Sequence, residues 1–478
     1  MASTFQMAQL SAASKVGFGT SGARGLVTDM TDQVCWSYVT AFLQAVVPGA
    51  KRVALGQDLR PSSQHIVEVC AAAVRDRGME PVYAGVLPTP ALALYAMQQE
   101  MPAVMVTGSH IPFDRNGIKF YTALGEISKA DEQAILAADL TDPGVYAVKP
   151  LAVDPQPVAQ YQHRYRDFFP ANFLAGKRIG VYEHSSVARD FLRPLLEAFG
   201  ATVVSLGRSD DFVPVDTEAV SEADQALARD WTQAYQLDAL LSTDGDADRP
   251  LIGDETGHWL RGDIVGLLCS RYLRARTVVL PVSCNTAIER CGDFRQVVRT
   301  RIGSPYVIAG MEAAAAAGAT DIVGFEANGG FLVGSTMTRD GNSLAMLPTR
   351  DAVLPMLALL ALAHEQGVPL SGILAGLPPR FTASDRIQEF PTAQSRALLD
   401  EFAASPASVA GFFSSVCGEA AGRDLTDGLR LTFANGEIVH LRPSGNAPEL
   451  RCYAEADSES RAKVLVVRTL EKLKQLRS

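Results

Sequence analysis

Short apolar runs of strand length alternate with stretches of helix length along most of the chain. Arg52-Val53-Ala54-Leu55-Gly56 stops at Gln57-Asp58, and a helical stretch follows over 65–77. Residues 81–85 read as the next strand, Leu87-Pro88-Thr89-Pro90 as a turn, 91–99 as a helix and Val104-Met105-Val106 as a buried strand. Such β-α-β-α alternation predicts a parallel or mixed sheet covered by helices.

The pattern starts afresh twice. Arg178-Ile179-Gly180-Val181-Tyr182 opens a second round, with a helix over 187–199, a strand at Thr202-Val203-Val204-Ser205 and a last strand over 237–242. Thr277-Val278-Val279-Leu280 opens a third, which ends in Asp321-Ile322-Val323-Gly324-Phe325. Each round carries a polar, glycine-containing loop after a strand. Three related α/β units are therefore expected, although no sequence repeat marks them. The C-terminal part differs. Two runs over 429–433 and 438–441 flank Asn435-Gly436, the favoured dipeptide of a hairpin turn. A strand over 450–454 and an amphipathic helix over 460–476 complete a small α+β unit. With linkers near 150–157, 254–257 and 367–379, the expected domains are 1–152, 153–255, 256–370 and 371–478.

Length agrees with this division, since 478 residues are too many for one small core and suit three or four domains. Lys and Arg number 43 against 53 Asp and Glu, a net charge of −10, which gives no support to a nucleic-acid footprint. The seven Cys form no C-x-x-C pair and read as free thiols of a reducing, cytoplasmic compartment. Residues 1–15 lack the basic and apolar regions of a secretory signal. The apolar run 352–363, interrupted by Pro355, is too short to span a bilayer and predicts a buried helix.

Five loops carry candidate chemistry. Val106-Thr107-Gly108-Ser109-His110 puts a Ser-His pair on a glycine-containing turn at a strand end, and Asn116-Gly117-Ile118-Lys119 follows closely. Taken alone, Ser109 could be a hydrolase-like nucleophile activated by His110. Asp244-Gly245-Asp246-Ala247-Asp248-Arg249 alternates three carboxylates at a strand end, and hard oxygens at that density suit Mg²⁺. An EF-hand is excluded because the sixth position is Arg249, not Gly. Arg249 beside the cluster points to a phosphate in the site. Glu326-Ala327-Asn328-Gly329-Gly330 would present Glu326 and Asn328 on one side if extended, a pair suited to vicinal sugar hydroxyls. Arg442-Pro443-Ser444-Gly445-Asn446, followed by Arg451, can wrap a phosphate without a Walker lysine. Gly17-Phe18-Gly19-Thr20-Ser21-Gly22-Ala23-Arg24 is glycine-rich, and Arg24 could meet a second phosphate. A solvated acidic turn or an ordinary polar turn is the plain alternative for each loop alone. Together they are the parts of phosphosugar chemistry.

In the order and content of these loops the chain resembles the α-D-phosphohexomutase family over nearly its whole length. Thr338-Arg339-Asp340-Gly341 and Leu347-Pro348-Thr349-Arg350-Asp351 make it most similar to the bacterial phosphomannomutase-type branch. The resemblance implies four domains around a central cleft. It implies a phosphoserine at Ser109 and Mg²⁺ held by Ser109, Asp244, Asp246 and Asp248. By the same match Glu326, Asn328 and Gly329 would hold sugar hydroxyls. Arg442, Ser444, Gly445, Asn446 and Arg451 would hold the non-reacting phosphate. Three loops depart from the usual pattern: Gly108 stands where Ala is common, Asn328 where Ser is common, and Asn446-Ala447 where Thr-Glu is common.

The reaction implied is a reversible 1,6-phosphoryl exchange on a hexose phosphate, with a hexose 1,6-bisphosphate as intermediate and activator. Lys119 is the expected acid/base, with a lowered pKa, and His110 the second candidate. Arg24 and Mg²⁺ would neutralise the moving phosphoryl group. Phosphoglucomutase, phosphoglucosamine mutase, a metal-dependent sugar phosphatase and a non-catalytic phosphosugar-binding protein are the competing readings. No membrane is expected as a partner, and the chain is expected as a monomer or homodimer.

Overall fold

The computed structural model describes residues 4–19, 21–444 and 448–477, the side chain of Arg477 excepted. Three sheets repeat one topology. In the first, Glu80–Val86, Arg52–Gln57, Ala103–Val106 and Arg115–Thr122 are neighbours in that order, two parallel pairings followed by an antiparallel one. Thr202–Leu206, Arg178–Tyr182, Ala239–Thr243 and Pro250–Gly253 repeat it, and so do Gln296–Thr300, Thr277–Pro281, Ile322–Phe325 and Phe331–Val333. The expected kinship of three α/β units is thus a matter of strand order rather than of sequence. The first sheet is widened by Gly17–Phe18 and Ala23–Leu26, and the third by Leu347–Asp351.

This topology places the chemistry. In every unit the third strand ends at the loop that turns into the antiparallel fourth. Those loops are Thr107–His110, Asp244–Arg249 and Glu326–Gly330. Three sequence motifs that look unrelated are therefore equivalent positions of one design, at the carboxyl ends of strands where open α/β sheets bind ligands.

Helices Thr89–Gln98, Gln156–Phe168, Gly262–Tyr272 and Val353–Gln366 contribute to one continuous apolar core that runs through the first three units. Val353–Gln366 has no polar face over its first eleven residues, all buried, as a helix enclosed on every side requires. Residues 254–257, expected as a linker, form an ordered turn. Asp254 Oδ1 accepts from the N–H groups of Thr256 and His258 and closes the bridge between Gly253 and Trp259.

The C-terminal unit is a five-stranded antiparallel sheet with a separate core from Ile387 to Leu473. It is tied to the third unit by polar links. The Thr286 N–H donates to Glu455 Oε2 at 3.1 Å, Asn285 Nδ2 to the Arg380 carbonyl at 2.7 Å, and the Ile302 N–H to Asp427 Oδ2 at 3.0 Å. Apolar burial is non-directional and proportional to area. The C-terminal unit thus has its own core and meets the third unit through directional bonds.

All seven Cys are free thiols, six of them buried. No helix among the described residues is long and apolar enough to cross a membrane.

Candidate active site

Ser109 sits in the left-handed region at φ +54, fully buried. For a residue with a Cβ that conformation costs on the order of 1–3 kcal/mol and persists only where its surroundings enforce it. Here Arg60 enforces it. Its guanidinium donates to the carbonyls of Ser109 at 2.9 Å, Ile111 at 2.5 Å, Pro112 at 2.7 Å and Arg115 at 2.9 Å. Asp58 pairs with Arg60 and accepts from Thr107 Oγ1, and Thr107 Oγ1 in turn accepts from the Ser109 N–H. A Cβ on Gly245 would lie 2.8 Å from the Ser109 carbonyl, so that glycine lets the serine loop and the aspartate loop close on one another.

The Ser109 hydroxyl donates to Asp244 Oδ2 at 2.6 Å, whereas His110 Nδ1 lies 3.4 Å from it. Arg249 Nη1 occupies His110 Nδ1 at 2.9 Å. Arg249 and burial push the His110 imidazole down to about 2, so it is neutral. His110 is therefore not the group that activates Ser109 here, because its Nδ1 is already taken by a cation.

Asp244, Asp246 and Asp248 are buried, with one ligand atom of each lying within 4.8 Å of the others. Burial, and then the other two aspartates, push Asp244 well above the usual carboxylate range. Burial would raise Asp248 too, but Arg350, Lys119 and Arg249 outweigh it and hold it well below that range. Asp246 Oδ1 and Asp248 Oδ1 are buried without a hydrogen-bond partner. Orphaned hard oxygens facing a clustered charge fit a divalent cation, and Mg²⁺ takes such ligands.

Lys119, opposite Met105 in the sheet, reaches Asp246 Oδ2 at 2.6 Å and Asp248 Oδ2 at 2.7 Å. Its lowered pKa is not found. Burial lowers it, but Asp246 and Asp248 act against burial and the ammonium is held above its ordinary value. The Arg24 side chain makes no hydrogen bond or ion pair among the described residues, while its backbone is paired in the sheet. Burial, Arg249 and Arg350 depress it to about 10, which leaves it charged. An unpaired guanidinium held among other cations is poised for a dianion.

Glu326 is buried and accepts from Arg350 Nη1 at 2.9 Å through Oε2. The extended backbone that would put Asn328 on the same side does not occur. The chain turns at Ala327-Asn328, with the Gly329 N–H on the Glu326 carbonyl and Asn328 Oδ1 on the Gly330 N–H. Arg442 Nε is held by Asp427 Oδ2 at 2.8 Å. Arg451 Nη2 lies 3.8 Å from Glu449 Oε2, and Ser444 is buried. Gly445 and Asn446 lie outside the described residues.

Sequence reasoning missed Asp58, Arg60, Thr89, Arg350 and Asp427. Asp58-Leu59-Arg60 at the end of strand Arg52–Gln57 carried a signal, since charged residues directly after a buried strand need partners. Arg350 stood in the motif Leu347–Asp351, whose role the sequence did not reveal, and for Thr89 and Asp427 the partners lie too far along the chain to show.

Sequence models of the phosphoglucomutase/phosphomannomutase family match all four units: alpha/beta/alpha domain I at 15–141, domain II at 162–257, domain III at 261–381 and the C-terminal domain at 388–472. The chain belongs to this family. A phosphomannomutase of Salmonella muenchen is 49% identical over 465 residues, 96% of each protein. One of Sinorhizobium fredii is also 49% identical, over 95% of this chain and 98% of its own. A phosphoglucosamine mutase of Desulforudis audaxviator shares 27% over 95% of this chain and 96% of its own. Among solved structures, a phosphoglucomutase/phosphomannomutase family protein of Burkholderia thailandensis superposes at TM-score 0.71 with 18% identity, covering 95% of this chain and 96% of the other. It shares the fold.

Proposed function

We propose that this chain is a phosphomannomutase, an isomerase that interconverts mannose 6-phosphate and mannose 1-phosphate through phospho-Ser109. The observation that carries the reading is the 2.6 Å bond from Ser109 to Asp244, which seats the nucleophile on the aspartate cluster and not on a histidine base. The 49% identity to two phosphomannomutases supports the choice of sugar, against 27% to a phosphoglucosamine mutase.

In the forward direction the bond from Ser109 Oγ to phosphorus breaks and one from the sugar O1 to phosphorus forms. The O1 proton passes to Lys119. The bisphosphate turns over in the cleft, the O6–phosphorus bond breaks, and the phosphoryl group returns to Ser109 while Lys119 returns the proton to O6. Asp244, Asp246, Asp248 and the seryl phosphate would hold Mg²⁺, which would supply charge neutralisation for the transferring group. Burial and Arg350 act to lower Lys119 while Asp246 and Asp248 raise it, so a cation that balanced the two carboxylates would leave the lowering effects in place. Arg24 and Arg249 meet the moving phosphoryl group. Glu326, Asn328 and Gly329 meet the sugar hydroxyls, and Arg442, Ser444, Gly445, Asn446 and Arg451 the distal phosphate. A hexose 1,6-bisphosphate serves as activator by rephosphorylating Ser109. The working units are 1–152, 153–255, 256–370 and 371–478, in a cytoplasmic monomer or homodimer.

The test is kcat/KM for mannose 1-phosphate against glucose 1-phosphate, with Mg²⁺ and bisphosphate, on the parent and on Ser109→Ala. Preference for mannose and an inert Ser109→Ala support the reading. A glucose preference shifts it to phosphoglucomutase, release of inorganic phosphate without isomerisation shifts it to a phosphatase, and full activity of Ser109→Ala ends it.

A further inference from the structure

Two carboxylates of the aspartate cluster have one oxygen saturated and the other bare. Asp248 Oδ2 accepts from Lys119 Nζ at 2.7 Å and from Arg350 Nε and Nη2 at 3.1 and 2.8 Å. Asp246 Oδ2 accepts from Lys119 Nζ and from Thr89 Oγ1, each at 2.6 Å. The other oxygens, Asp246 Oδ1 and Asp248 Oδ1, are buried without a hydrogen-bond partner, the second with Arg249 Nε at 3.6 Å.

Neither pin can swing away. Arg350 is 1% exposed, and its remaining nitrogen donates to Glu326 Oε2 at 2.9 Å and Ser304 Oγ at 3.3 Å. Thr89 is fully buried, and its own N–H donates to the Asp246 carbonyl at 2.9 Å. Each carboxylate is thus clamped from behind by donors from other units.

We propose that Arg350 and Thr89 are positioning residues that make the site selective for a small divalent cation. With Oδ2 occupied on both carboxylates, each offers a single oxygen, Oδ1. Mg²⁺ is octahedral at short distances and takes one oxygen per carboxylate, whereas Ca²⁺ takes six to eight oxygens and gains from bidentate carboxylates. A cage whose second oxygens are withheld therefore favours the smaller ion. This rests on reading the cluster as a cation site.

The test compares the full-length protein with Arg350→Lys and Thr89→Val. The first keeps the charge but loses the planar fork, and the second removes the hydroxyl at nearly constant shape. Thermal melts establish folding. Mn²⁺ binding is followed by electron paramagnetic resonance, and Mg²⁺ and Ca²⁺ affinities come from competition against it. The expected result is a Ca²⁺ to Mg²⁺ affinity ratio raised by about fivefold or more in each variant, because Oδ2, left with Lys119 and without its fixed second donor, can turn towards a larger ion. A merely structural role would lower both affinities together and leave the ratio alone. Folded variants that bind Mn²⁺ with the parent ratio overturn the proposal. If Arg350→Lys does not fold, Thr89→Val decides alone. A parent protein that binds no Mn²⁺ is a different result and removes the cation site itself.

Discussion

A Cβ placed on Gly108 would fall 2.5 Å from Cζ and Nε of Arg60. The space beside residue 108 is filled by the one side chain that holds four carbonyls of the serine loop. Where the family commonly carries alanine, this chain cannot accept it without moving Arg60. Gly108→Ala is expected to cost about 1–3 kcal/mol, the range for overpacking a filled site, as read by urea denaturation. It should also lower kcat, because a displaced loop misplaces Ser109. Unchanged stability and kcat would show that Arg60 is not fixed in place.

Lys119 is the described ammonium that touches two carboxylates of the cluster. Lys119→Met is expected to reduce kcat by about 10²–10⁴-fold, the usual contribution of a positioned acid/base. KM should change less. A Lys119→Met enzyme with the parent kcat would return the role to His110.

Asp427 joins the proposed phosphate ligand Arg442 to the neighbouring unit, since one oxygen accepts from both Arg442 Nε and the Ile302 N–H. Asp427→Asn keeps the shape and removes the charge that orients Arg442. Steady-state kinetics should show KM for the hexose phosphate raised by roughly tenfold, about 1.4 kcal/mol, with kcat less affected. A variant with the parent KM would separate Arg442 from substrate binding.

His440 is buried in the C-terminal unit, with Nε2 on the Asp427 carbonyl at 2.5 Å and the ring stacked on Tyr453. Burial lowers it from 6.5 to about 4. Between those values the unfolded chain binds a proton that the folded one refuses, so stability rises with pH. The contribution is complete above pH 6.5 and is lost as pH falls towards 4, on the order of 3 kcal/mol in all. His440→Phe should flatten the stability profile in that window when urea midpoints of variant and parent are compared. Parallel profiles would mean that His440 protonates in the folded state.

The fold was legible where its causes are local. Buried strands such as Arg178–Tyr182 and Thr277–Pro281 stand where their apolar runs stand, and Asn435-Gly436 makes the turn that its dipeptide favours. Ser109 and the three aspartates were legible because motif residues at strand ends need only the strand before them to be placed. The sugar loop was half legible. Glu326 follows the strand Ile322–Phe325, but Asn328 turns away because its side-chain Oδ1 accepts from the Gly330 N–H.

By itself the sequence determined three rounds of alternating strands and helices, a different C-terminal unit, and the loops that bear Ser109, Asp244, Glu326 and Arg442. Tertiary structure alone decided their protonation and partners. Lys119 meets carboxylates 127 and 129 residues away, and Arg350 meets Asp248 across 102 residues. The reason is physical. Strand, turn and helix preferences act over a few residues, whereas charge acts through space, and at a dry site its strength depends on groups that only the packed fold brings together.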